Sequence, residues 1–139
     1  MIEPAFYFWF WDSLLKESKN KTSLFSRVKP GKRHYLSSGA GRTGLAYVYA
    51  LRKDQAEVDL YINSQDKHLN RAIFDELFKQ REVIEKAFGE KLVWNRNWND
   101  QASIIQKLFV VDNSDDWSKL QLEMLDSMIR LEKALRGRF

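Results

Sequence analysis

Glu57 and Asp59 stand two residues apart, and their types and spacing could do chemistry. Paired carboxylates on one strand face can hold Mg²⁺ or divide acid and base roles. The run that carries them alternates, with Val58, Leu60 and Ile62 inward and Glu57, Asp59 and Tyr61 outward. That pattern predicts a solvated strand face, on which such a pair does no chemistry. No (Asp/Glu)-x-Lys tripeptide falls on a predicted strand. Glu17-Ser18-Lys19 has the letters but lies at a helix end. A restriction-type nuclease core is therefore not visible, no catalytic residue is assigned, and the chain is not expected to be an enzyme on its own.

Gly39-Ala40-Gly41-Arg42-Thr43-Gly44 has the letters of a dinucleotide-binding loop. That chemistry needs a strand before the glycines and a helix after them, so that pyrophosphate meets a helix N-terminus. Here a loop is expected before and a strand after. A phosphate-binding P-loop fails too, because Leu45 and Ala46 stand where Lys and Ser/Thr are required. The glycines are expected only to supply positive φ at the entry to a strand. No cofactor is expected. The chain has no cysteine, which excludes disulfides, thiol catalysis and the common structural zinc sites. His34 and His68 are the only histidines, and two lone histidines in different segments make a poor metal site.

The basic cluster is a stronger signal. Net charge is +4, unevenly spread: residues 16–53 carry ten Lys and Arg against the single Glu17. Within that stretch Arg27, Lys29, Lys32, Arg33, His34 and Arg42 are interleaved with Phe25 and Tyr35. Such a cluster can neutralise several phosphates and offer an aromatic ring for base stacking. These six residues are the candidate nucleic-acid contacts. The acidic face of the Glu57 strand argues against the open sheet as the platform.

The elements that must position these groups can be read from periodicity. With 139 residues, a single α+β domain over 1–139 is expected, large enough for a real core. Helix one is predicted over about Pro4–Ser18, with Pro4 in its first turn. At 100° per residue Phe6, Tyr7, Phe10, Trp11, Leu14 and Leu15 share one face, whereas Trp9 falls among polar residues and Phe8 at the border. Phe8 and Trp9 are therefore the candidate interface pair. Residues 19–41 read as a long loop turning at Pro30-Gly31. A hairpin around Lys53-Asp54-Gln55 follows. The next helix carries Leu69, Ile73, Leu77, Ile84 and Phe88 and stops at Gly89. A second hairpin is expected around Trp98–Gln101, then a last helix with Trp117, Leu120, Met124, Met128, Leu131 and Leu135 in its main stripe. Leu122, Leu125 and Ile129 form a second stripe on that helix, against which helix one is expected to pack. The order, an N-terminal helix followed by two ββα units, predicts a four-stranded, largely antiparallel sheet with helices packed on one face.

The aromatic opening is neither a signal peptide nor a membrane span. Glu3 precedes it where Lys or Arg is wanted, and Asp12 and Lys16 interrupt it well short of the roughly 20 residues that cross a bilayer. No membrane association and a cytoplasmic location are expected.

An acidic strand ending in Leu60-Tyr61-Ile62, the helix core Phe74-Asp75-Glu76-Leu77, the turn Arg81-Glu82-Val83-Ile84-Glu85 and the stretch from Gly89 through Trp94 occur in that order. In these features the chain resembles a prokaryotic family, domain of unknown function 4268. The aromatic first helix with Leu14-Leu15, the Ser38-Gly39 loop and the Asp116-Trp117 helix start also fit. Members of that family often lie C-terminal to PD-(D/E)xK restriction-endonuclease-like domains. The resemblance implies a link to DNA processing or DNA defence and supplies no catalytic residues. Met1 directly precedes helix one, so this sequence is expected to lack the nuclease half and either to stand alone or to be a fragment or subunit whose partner is elsewhere. The expected function is a non-catalytic accessory module that contacts nucleic acid beside a nuclease or DNA-defence partner. The alternative is a protein-interaction module, for example a homodimer, built on the aromatic first helix without nucleic-acid binding.

Overall fold

The computed structural model describes residues 2–112 and 116–139. The elements run α1 (Pro4–Ser18), β1 (Tyr35–Gly39), β2 (Leu45–Leu51), β3 (Gln55–Ile62), α2 (Lys67–Lys79), α3 (Arg81–Phe88), β4 (Val93–Asn95), β5 (Ser103–Val110) and α4 (Trp117–Leu135). The fold is α+β. The strands make one antiparallel sheet in the order β1-β2-β3-β5-β4.

The helices cover one face of this sheet. Tyr47, Tyr49, Val58, Leu60 and Ile105 share that face by register and are buried in one apolar core with Trp11, Leu77 and Met124. Leu77 is 0% exposed, as its place on the helical stripe requires. Leu69 departs from that stripe and is exposed, because it sits in the first turn of α2 beside the capping Asp66. Helix α1 packs on α4 through Phe6 and Phe10 against Trp117, and Gln121 Nε2 donates to the Phe10 carbonyl at 3.0 Å. Of the second α4 stripe, Leu125 is buried and Leu122 is exposed, and Trp117 and Gln121 contact α1.

Two expectations need correction. The sheet has five strands, not four, because β1 lies inside the segment read as loop. Its backbone pairs with β2 from Tyr35↔Ala50 to Gly39↔Ala46, and Leu36 is buried in the core. The arrangement is therefore a three-stranded meander before the helices, not a hairpin. The helix after β3 is also two helices. Gln80 leaves helical geometry at φ −100 and ψ 14, closing α2 and opening α3, and its side-chain carbonyl accepts from Arg138 Nη1 at 2.9 Å.

Candidate functional site

The basic residues lie on a pinned backbone. Trp11 is fully buried and its indole N–H donates to the Arg33 carbonyl at 2.8 Å. The Leu51 N–H donates to the His34 carbonyl at 2.8 Å, and the Tyr7 hydroxyl donates to the Leu51 carbonyl at 2.8 Å. Phe25, at φ 64, is buried against Tyr49 at 4.8 Å between ring centres and fastens the preceding loop. Arg33 Nη1 donates to the Tyr35 hydroxyl at 2.9 Å.

The six candidate contacts divide. Lys32, Arg33 and His34 border one open cleft of about 700 Å³, together with Arg52 and Lys53 from the end of β2. Arg52 and Lys53 were not among the expected contacts. Pairing of β1 with β2 brings the 32–34 and 52–53 segments side by side, and that pairing is invisible if β1 is taken as loop. Arg42 sits at the far end of the β1–β2 hairpin, where the Leu45 N–H closes a turn on its carbonyl. Seven residues of β2 separate the two ends, about 20 Å along a strand. Arg27 and Lys29 are exposed in the loop ahead of the cleft and do not line it. The His34 imidazole is held below its usual pKa, mainly by burial and then by the Arg52 charge, with Glu57 opposing.

The open face of the sheet differs from expectation most. Glu57 and Asp59 do point away from the helices, yet they are 1% and 2% exposed. Strand β3 is central, so β2 and β5 flank both carboxylates, and polar side chains close over them. Arg52 Nε donates to Glu57 Oε2 at 2.8 Å, and Gln55 Nε2 donates to the same oxygen at 3.1 Å. Gln106 Nε2 bridges the pair, at 3.3 Å from Glu57 Oε1 and 3.0 Å from Asp59 Oδ1. Burial, and next the Glu57 charge and its hydrogen bond, push the Asp59 carboxyl well above its usual pKa against the opposing pull of Gln106 and Arg52. Burial and the neighbouring Glu57 charge both disfavour the charged form of Asp59. Among the described residues no group of three or more His, Cys, Asp or Glu is placed to hold a metal ion.

This pair lies at the floor of a cavity of about 590 Å³ on the open face. Ala46, Val48 and Ala50 oppose Tyr61, Asp59 and Glu57 across β2, and their small side chains leave the sheet low there. Trp98 stands at one side, and His34, Tyr35 and Arg52 stand where the cavity meets the cationic cleft. Arg71, on α2, fixes the loop that carries Trp98. Its guanidinium donates to the carbonyls of Arg96, Asn99 and Ala102 at 2.7, 2.8 and 2.6 Å. Nothing in its sequence context marks Arg71 for this role, since it lies among polar residues of an amphipathic helix.

The glycine-rich run connects β1 to β2 and meets no helix. Gly41 and Gly44 adopt positive φ as expected, whereas Gly39 ends β1 as an ordinary strand residue. Phe8 and Trp9 are 44% and 47% exposed on α1. Trp9 touches Phe6 and Phe10 of its own helix, at 5.4 and 6.5 Å between ring centres.

The family model for a domain of unknown function, DUF4268, matches residues 6–138. The chain belongs to that family. No curated protein and no solved structure matches it. No helix among the described residues is long and apolar enough to cross a membrane.

Proposed function

We propose that this chain is a non-catalytic accessory module that contacts nucleic acid through the cationic cleft and works beside a nuclease or DNA-defence partner. The observation that carries this reading is the convergence of Lys32 and Arg33 with Arg52 and Lys53 around one cleft beside Tyr35. Clustered cations release condensed counterions when they meet phosphates, and an adjacent ring can stack on a base. The cations are held by backbone bonds to buried residues, so little order has to be gained on binding. The nuclease association rests on the family resemblance alone. Reversing Lys32 and Arg33 to Glu tests the reading. Duplex affinity should fall alike for all sequences, because phosphate contacts carry no sequence information. Unchanged affinity would reject the cleft.

The exposure of Phe8 and Trp9 favours a second reading, an interaction module that docks a partner or a second copy through α1. The two readings use different surfaces and are separable by variant.

A further inference from the structure

We infer that the cavity on the open sheet face receives a single nucleobase whose phosphate rests on the cationic cleft. This rests on the nucleic-acid reading above and names what the neighbouring site would take. First, the cavity and the cleft adjoin: His34, Tyr35 and Arg52 border both. A group held by its phosphate at the cleft is thereby led to the cavity mouth. Second, the size fits, since small-ligand sites run to about 300–1,000 Å³ and this one holds about 590 Å³. Third, the lining suits a flat heterocycle with polar edges. Trp98 and Tyr61 bring aromatic side chains to it, and Ala46 and Ala50 keep the strand surface between them low. Fourth, the floor offers hydrogen bonds of both senses. The Glu57 and Asp59 oxygens accept from Gln106 at the base of the cavity, and Arg52 and Asn63, which also line it, carry donors. Base edges carry amino groups, ring N–H groups and ring acceptors that match such a floor. An anion could not enter alone, because the carboxylates would repel it. A simple cation would meet Arg52 at the mouth. A neutral base tethered to an anionic phosphate satisfies both ends.

The source is either a base turned out of a strand or a free nucleotide, and the experiment separates them. Affinity is measured with the full chain at one low salt concentration, for a short mixed-sequence DNA single strand, for the same strand with abasic sites in place of its bases, and for adenosine monophosphate. Trp98→Ala removes one wall, and Ala46→Leu fills part of the floor, each checked for folding by circular dichroism. We expect the normal strand to bind about tenfold tighter than the abasic one, the order contributed by one stacked base. That contrast should shrink in Trp98→Ala. Equal affinity for the two strands would overturn the base site and leave the phosphate reading intact. Binding of the mononucleotide without binding of either strand would keep the base site, with a free nucleotide as its source, and reject the nucleic-acid reading. No binding of any of the three would reject both. Should a variant fail to fold, the contrast between normal and abasic strands on the unaltered chain still decides.

Discussion

Asp59 is a buried acid whose proton the folded state favours, and that has a consequence for stability. Its folded pKa lies above its unfolded value of about 3.9. The folded state therefore binds more protons than the unfolded one between the two values, and stability falls as pH rises through that window. Above the folded pKa the loss levels off. Asp59→Asn removes this titration and keeps most of the side chain's shape. We expect urea midpoints measured from pH 4 upward to decline less in Asp59→Asn than in the unaltered chain. Equal slopes would mean that Asp59 is ionised like a surface carboxylate. The alternation in the sequence puts this residue on the right face and still misjudges its surroundings. What was not legible is that Gln106 of β5 lies opposite it and that Arg52, Gln55 and Gln106 bond over the two carboxylates. Period alone distinguishes faces, not what covers them.

Among the elements, α1 spans the residues expected for it and α4 starts where its capping acid marks it. Pro4 sits in the first turn of α1, and Asp116 caps α4 by accepting from the Ser118 and Lys119 N–H groups. Strand β1 was hidden by composition, because Tyr-Leu-Ser-Ser-Gly carries only one residue that enters the core deeply. The break at Gln80 was hidden because no proline or glycine marks it. Two measurements test these elements. Leu77→Ala, at the centre of the α2 contact with the sheet, should lower stability by about 2–5 kcal/mol in chemical denaturation. A loss below about 1 kcal/mol would place it on the wrong face. Gly44 closes the β1–β2 hairpin at φ 87, with Ser64 so near that an added Cβ would lie 2.7 Å from its Cα. Gly44→Ala should cost about 1–3 kcal/mol from the backbone alone, with the clash in addition. A neutral result by thermal unfolding would show that the hairpin can shift away from Ser64.

For the whole molecule, two surfaces ask for partners and they answer to different experiments. Trp9→Ala concerns the aromatic surface of α1. If a second copy covers it, sedimentation should show a dimer that dissociates in the variant, with little change in monomer unfolding. A chain that is monomeric before and after the change would remove self-association from the reading. The cationic cleft is the central claim, and the dependence of duplex affinity on salt tests it most directly. Arg52 is engaged by Glu57 and His34 is held below its usual pKa, so among the described residues of the cleft Lys32, Arg33 and Lys53 are the cations expected to meet phosphates. Each phosphate neutralised on duplex DNA contributes about −0.9 to the slope of log affinity against log salt, which gives about −2.7 for three. Arg27 and Lys29 would steepen it if they also reach the duplex. We expect a linear fall with a slope of about −2.7 or steeper. A flat dependence, or no binding even at the lowest salt, would contradict the claim.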